Sequence, residues 1–145
     1  MMFLRVTSLL AAGLVAACAA AATPDPAHLI GRGRALFVGA APLTGRLSTH
    51  PADLPEGAVR CANCHAAGRS ASVLRPIGPR LTGRWLSELQ ARRGGPPSSY
   101  DRADFCALLR TGIDPAYVLI NVAMPRYRIS DRDCTALWRF LNEDR

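Results

Sequence analysis

Cys61-Ala62-Asn63-Cys64-His65 is the stretch from which the rest of this sequence is best interpreted. Two cysteines three positions apart, with a histidine directly after the second, form the attachment pattern of c-type haem. The spacing suits the chemistry, because one turn of chain brings both thiols to the vinyl groups of a porphyrin while the histidine faces the iron. The pattern therefore predicts one covalently attached haem c, with His65 as an iron ligand.

Two other uses of a Cys-x-x-Cys pair fit the sequence less well. A structural zinc site needs a second close pair of ligands, whereas Cys106 and Cys134 stand far apart in the chain. A redox-active dithiol belongs beside a βαβ pattern, which this sequence lacks. Haem attachment is the interpretation that uses both cysteines and the histidine.

The composition is that of one globular domain with a strongly basic surface. The 145 residues are 49% hydrophobic and 20% charged, which excludes a disordered chain, and the net charge is +7 with arginine as every basic residue. No stretch interleaves aromatic residues with arginines, as a nucleic-acid platform would. We therefore predict that the protein binds redox proteins with an acidic docking surface and does not bind nucleic acid.

Residues 1–22 have the layout of an export signal, with one basic residue, an apolar stretch and then small residues. Two processing routes remain open. Val15-Ala16-Ala17-Cys18 resembles a bacterial lipobox, which favours a lipid on Cys18, whereas the following alanines offer signal-peptidase sites. We predict a periplasmic protein held at the membrane surface through Cys18, or soluble in the periplasm by the second route. The remaining domain then spans residues 23–145.

The rest of the chain is predicted to contain helices and loops and no sheet. Capping residues and apolar periodicity indicate four helices. They run from Asp25 to Gly39, from Trp85 to about Arg92, from Ser98 to Gly112, and from Ser130 to the C-terminus. Residues 40–60 lose periodicity and are rich in proline, so we expect a long loop there.

The order of motifs along the chain resembles that of class I cytochromes c. The motifs are Gly33-x-x-x-Phe37 on a helix, the haem pattern, Gly78-Pro79-x-Leu81, Met124-Pro125 and an aromatic-bearing terminal helix. The resemblance implies an all-α, cytochrome c-like fold whose N- and C-terminal helices cross beside the covalently bound haem. It places Gly33 and Phe37 against the Leu137-Trp138-Leu141 face.

The resemblance also implies a role for Pro79 and exposes one departure. In the family, the carbonyl group of the corresponding proline accepts a hydrogen bond from Nδ1 of the proximal histidine, which orients the ring. The family usually has only a few residues between the first helix and the haem cysteines. Here residues 40–60 are inserted at that point, so the exposed haem edge stays undefined.

Met124 is the predicted sixth ligand of the iron, opposite His65. It is the single methionine after the leader, and it precedes a proline in an irregular stretch. A thioether ligand favours ferrous iron and raises the reduction potential. His28 and His50 are the rival ligands, and His50 is the stronger rival because it lies in the inserted loop.

Two further features of the sequence leave alternatives open. Cys106 and Cys134 form a disulfide, which an exported protein favours, or they are two buried thiols on apolar helix faces. Several arginines flank the haem-contacting segments and are either solvated charges or a ring that attracts an acidic partner. These are Arg69, Arg75, Arg80, Arg126 and Arg128.

The function expected from this resemblance is electron transfer rather than catalysis. A monohaem c-type cytochrome carries single electrons between periplasmic or membrane-bound redox partners through a His/Met-ligated iron. The alternatives are a haem-bearing, electron-accepting subunit of a periplasmic dehydrogenase and a haem-based sensor. Both alternatives need access to the iron that differs from that of a carrier. The occupant of the sixth position therefore separates the carrier from the two alternatives.

Overall fold

The computed structural model describes residues 25–67 and 77–143. The described part has four α-helices, α1 Pro26–Val38, α2 Gly83–Ser87, α3 Arg102–Thr111 and α4 Asp131–Leu141. It also has four short strands, β1 Thr44–Arg46, β2 Gln90–Ala91, β3 Pro97–Ser98 and β4 Arg126–Arg128, and two 3₁₀ turns, Glu56–Ala58 and Cys61–Asn63. The predicted leader with Cys18, and also Arg69 and Arg75, lie outside the described residues.

The first helix has the ends that its sequence predicts. The Asp25 carboxylate accepts a hydrogen bond from the backbone N–H of Ala27 at 3.1 Å, and proline occupies the first helical position. Gly39 closes α1 in the left-handed conformation, with φ 81°, and donates its N–H to the Leu36 carbonyl group. This prediction is confirmed.

The first and last helices pack against each other at Gly33. A Cβ atom on this buried glycine would lie 2.6 Å from the carbonyl carbon of Ala136 and 2.7 Å from Cβ of Phe140. The rings of Phe37 and Phe140 pack beside this point with centroids 5.5 Å apart. Only glycine permits the backbones of α1 and α4 to come this close. The helices pack at the predicted glycine, but these contacts are with Ala136 and Phe140 rather than with the predicted Leu137-Trp138-Leu141 face.

The middle helices differ from their predicted bounds. The Thr82 hydroxyl caps α2, which ends at Ser87, so the helix predicted to reach Arg92 is shorter. The Asp101 carboxylate caps α3 and accepts from the Asp104 N–H at 2.8 Å. Residue Ser98, the predicted cap, lies in β3 instead. Helix α2 cannot continue to Arg92, because the chain turns after it to form the β2–β3 pair.

The prediction of an all-α fold is wrong, because the described residues also form antiparallel strands in two small sheets. The fold is therefore mixed α and β. In one sheet β1 pairs with β4, and in the other β2 pairs with β3. Each strand has two or three residues, too few to show the alternation by which a strand is recognised in sequence.

The helices and the segment before the haem motif share one apolar core. The largest of its fully buried side chains are those of Leu36, Leu86, Leu137, Val59 and Cys134. Val59 places the end of the inserted segment inside this core, two residues before the first haem cysteine. No helix in the described ranges combines the length and the apolar character needed to cross a membrane.

Candidate haem site

The Cys61–Asn63 turn presents the two cysteines and the histidine to one cavity. The carbonyl group of Cys61 accepts hydrogen bonds from the N–H groups of Cys64, at 3.1 Å, and His65, at 2.9 Å. The Asn63 side chain donates to the Gly57 carbonyl group at 2.7 Å and anchors the turn. Both thiols are free, and burial raises the pKa of Cys61 to about 11.

His65 is held as an oriented, neutral imidazole. Its Nδ1 lies 2.8 Å from the Pro79 carbonyl oxygen. Because a carbonyl oxygen only accepts, Nδ1 carries the proton and Nε2 keeps its lone pair for a ligand. Burial lowers the pKa of His65, and the bond to Pro79 opposes that shift. The bond is the one that the resemblance implies, while the role of His65 as ligand stays a prediction.

Gly78 packs against the histidine ring, which occupies the space that a side chain at this position would fill. The N–H of Gly78 donates to the Cys64 carbonyl group at 2.9 Å, which brings the two segments together. A Cβ atom at Gly78 would lie 2.6 Å from Nδ1 of His65. The motif Gly78-Pro79 therefore acts through backbone atoms, with the glycine giving space and the proline accepting the hydrogen bond.

The cavity in front of these residues has a volume of about 670 Å³. That lies within the roughly 300–1,000 Å³ typical of cofactor and ligand sites. Its walls are mostly apolar and include core side chains from α2, α3 and α4. Prominent among these are Leu86, Phe105, Leu108 and Leu137.

Met124 lines the same cavity as Cys61, Cys64 and His65. It is partly buried, and its N–H donates to the Asn121 carbonyl group at 3.0 Å. The rival histidines are both exposed and do not line the cavity. His50 instead accepts a hydrogen bond from Ala52 within its own loop, at 3.2 Å. The structure thus brings the predicted methionine, and neither rival, to the cavity.

One polar group on the cavity wall, the guanidinium group of Arg92, was not predicted from the sequence. Arg92 is 6% exposed. The central carbon of its guanidinium group lies 4.7 Å from the Trp85 ring centroid and 5.1 Å from that of Tyr100. It donates to backbone carbonyl groups, including those of Trp85 at 2.5 Å and Glu88 at 3.1 Å. Burial raises the pKa of Tyr100 to about 12, so its hydroxyl stays protonated beside the cavity. No periodic signal marks an arginine of this kind.

Two of the predicted surface arginines have other surroundings. Arg126 is buried, 8% exposed, and donates to the Met124 carbonyl group at 2.9 Å. Burial lowers its pKa, and the charge of Arg93 adds to that shift. Arg128 is exposed and forms an ion pair with Asp53. Arg126 therefore supports the Met124 segment from inside and does not contribute to an exposed ring.

Cys106 and Cys134 form a disulfide with their Cα atoms 5.9 Å apart. The bond joins α3 to α4, and 28 positions of sequence separate the two cysteines. That span contains Met124. The alternative of two free thiols is excluded, and both ends of the Met124 segment are tied to the same pair of helices.

The described residues fit a covalently bound haem. Two free thiols and an imidazole with a free Nε2 stand on one wall of an apolar cavity of suitable size. The Tyr100 hydroxyl and Arg92 offer hydrogen-bond donors and positive charge for the carboxylates of such a group. Within the described ranges there is no cluster of three or more His, Cys, Asp or Glu side chains able to hold a metal ion.

Comparison with known proteins identified no relative of this chain. No protein-family model, curated protein or solved structure matches the chain. The residues of the cavity and the chemistry that their arrangement supports are therefore the basis for inferring a function.

Proposed function

We propose that this protein is a monohaem c-type cytochrome that carries single electrons between redox partners. The observation that carries the proposal is that Cys61, Cys64, His65 and Met124 all line one apolar cavity. Two thiols, one imidazole and one thioether are the side chains that covalent attachment and two-sided iron ligation need.

Each residue has a defined task in this proposal. Cys61 and Cys64 would hold a haem through thioether bonds, and His65 and Met124 would hold its iron. The group would supply one-electron chemistry without any bond change in a substrate. The Pro79 carbonyl group fixes the ring of His65 through Nδ1 and increases the basicity of Nε2. The apolar walls exclude water from the site, so an electron enters or leaves with little solvent rearrangement.

Export from the cytoplasm is part of the proposal. The leader over residues 1–22 supports a periplasmic protein, and its lipobox-like stretch ending at Cys18 supports a lipid anchor. The disulfide between Cys106 and Cys134 supports it independently, because disulfides persist in oxidising compartments. Mass spectrometry of the processed protein tests the lipid: a diacylglycerol-modified Cys18 at the N-terminus supports the anchor, and cleavage after Ala22 contradicts it.

A partner with an acidic docking surface is proposed from the charge around the cavity. The chain carries a net charge of +7, and exposed Arg93 lines the cavity. We expect oxidation by an anionic reagent such as ferricyanide to slow as salt is added. Oxidation by a cationic cobalt complex must not slow in the same way.

Absorbance spectra of the purified protein in both oxidation states, with and without carbon monoxide, test the proposal. The carrier predicts a covalently bound haem, a far-red band in the ferric state and no carbon monoxide binding in the ferrous state. Met124→Ala must remove the band and allow carbon monoxide to bind. Val122→Ala, at a 49% exposed position two residues earlier, is the matched control and must change neither. Ready binding by the wild-type protein would favour a sensor or an enzyme subunit instead.

A further inference from the structure

The inserted segment 40–60 forms part of the structure that carries Met124. Its strand β1 pairs with β4, so that Gly45 faces Tyr127 and Arg46 faces Arg126. β4 begins two residues after Met124. The backbone position of Met124 therefore depends on a segment almost eighty residues earlier in the chain.

Close packing at Gly45 carries this contact to the residue beside Met124. A Cβ atom at Gly45 would lie 3.2 Å from both the Arg126 carbonyl oxygen and Cδ1 of Tyr127, and 3.3 Å from Cβ of Pro125. These distances are tighter than ordinary van der Waals contact, so even one methyl group would push Pro125 and Tyr127. Since Pro125 follows Met124 directly, the push would reach the methionine.

One buried hydrogen bond closes the connection on the other side. The Tyr127 hydroxyl donates to the Val59 carbonyl group at 3.0 Å, and the two residues are 6% and 1% exposed. Val59 stands two residues before Cys61, and Tyr127 stands three residues after Met124. The bond thus joins the two walls of the cavity. Without the Tyr127 hydroxyl, the buried Val59 carbonyl group would lose this hydrogen bond.

The exposed end of the same contact is weaker. Arg128 pairs with Asp53 through both carboxylate oxygens, but the two side chains are 61% and 42% exposed. Exposed ion pairs contribute little to stability because water and salt screen them. The buried bond of Tyr127, rather than the ion pair, is therefore the part of the contact that resists movement.

We propose that the segment 40–60, acting through Tyr127, holds Met124 on the iron and keeps the sixth position closed to other ligands. The inference depends on the proposed function, because it concerns a thioether bound to haem iron. Tyr127 is a positioning residue in this account: it acts on the ligand through the backbone and through Val59. The insertion then has a task, which is to brace the ligand segment against the haem-attachment turn.

Tyr127→Phe in the haem-loaded protein is the direct test, because it removes the hydroxyl and leaves the ring. We expect carbon monoxide to bind the ferrous variant about tenfold faster, as the loss of one buried hydrogen bond allows. The far-red band of the ferric variant should disappear at lower temperature, and the reduction potential should fall. Tyr117→Phe is the matched control: it removes the same hydroxyl from a 92% exposed ring and must behave as wild type.

A glycine pair repeats the test without touching a polar group, and it decides the question if Tyr127→Phe does not fold. Gly45→Ala must shift Tyr127 and Pro125, so carbon monoxide should again bind faster than to the wild type. Gly31→Ala, on α1, also has no atom within 4 Å of its new methyl group, and it must leave carbon monoxide binding unchanged.

The outcomes separate this inference from the proposed function. A wild-type protein that binds carbon monoxide as readily as Met124→Ala would overturn the proposed ligand itself. A closed wild type, with Tyr127→Phe and Tyr117→Phe equally closed, would overturn the role of segment 40–60 alone. A purely structural Tyr127 would lower the melting temperature and leave the carbon monoxide rate unchanged well below it.

Discussion

The two walls of the cavity differ in how far along the chain their supports lie. The wall of Cys61, Cys64 and His65 is organised by hydrogen bonds that span three to six positions around the turn and by two that reach Gly78 and Pro79, fourteen positions away. The wall of Met124 is organised by a strand almost eighty residues away and by a disulfide that spans 28 positions. The first wall is thus built by local sequence and the second by the tertiary fold.

This difference predicts different responses to mutation. Attachment of the haem should tolerate changes far from the Cys61–Asn63 turn, because local bonds shape that turn. Ligation by Met124 should respond to distant changes, because its position is the sum of several long-range contacts.

Removing both haem cysteines should have the largest effect. In Cys61→Ser combined with Cys64→Ser, no thioether bond can form, so we expect no haem to remain on the denatured chain. Haem staining of a denaturing gel is the measurement. The double variant Cys106→Ala and Cys134→Ala is the control and must keep its covalent haem. Haem that stays attached without Cys61 and Cys64 would refute the local account of this wall.

Removing the disulfide should affect the Met124 wall alone. We expect Cys106→Ala with Cys134→Ala to lose about 3–4 kcal/mol of unfolding free energy, as the entropy of a loop of this length predicts. Denaturant unfolding of the haem-loaded protein measures the loss. The ferrous double variant should also bind carbon monoxide, while its haem stays attached. An unchanged sixth position would show that the strand pairing of β4 suffices without the disulfide.

Substitution at the crossing of α1 and α4 should weaken both walls together. Gly33→Ala brings a methyl group against backbone atoms of Ala136, which cannot move aside as a side chain can. We expect a loss of about 2–3 kcal/mol, the upper part of the range for overpacking. Gly31→Ala on the same helix meets nothing within 4 Å and should stabilise the protein by up to about 1 kcal/mol. Equal stabilities of the two variants would contradict a close crossing.

The smallest expected effect concerns the ion pair between α1 and α4. Arg32 donates two hydrogen bonds, of 2.8 and 3.1 Å, to the Asp133 carboxylate and holds the pKa of Asp133 below its ordinary value. The pKa is lower in the folded than in the unfolded chain, so the stabilisation is present above about pH 4 and is lost as the pH falls through the folded value.

Asp133→Asn should therefore cost about 0.5–1 kcal/mol at pH 7 in this partly exposed pair. The difference from wild type should shrink as the pH falls below about 4. Thermal unfolding across that pH range measures it. Glu143→Gln, which breaks a longer and more exposed pair with Arg34 at 3.8 Å, is the control and should change nothing measurable. A cost that stays constant with pH would exclude the carboxylate charge as the cause.

The parts of the fold that were predictable share a local cause. Caps at Asp25, Gly39 and Ser130 act within three residues of themselves, so the ends of α1 and α4 follow from neighbouring sequence. The β1–β4 pair was missed because its strands lie far apart in the chain, and the β2–β3 pair, which ends α2 early, because strands of two residues show no alternation. Arg92 was missed because contacts of its guanidinium group with carbonyl groups and aromatic rings leave no periodic pattern in the sequence.

By itself, the sequence determined the chemistry of one wall. Five consecutive residues specify two thiols and an imidazole on one turn, because a turn is a property of neighbouring residues and their spacing. It also singled out Met124 by type. Only the tertiary structure decided that Met124 shares the cavity with His65, that Cys106 bonds to Cys134, and that β1 pairs with β4 beside Met124. Those contacts join parts of the chain whose separation no local pattern encodes.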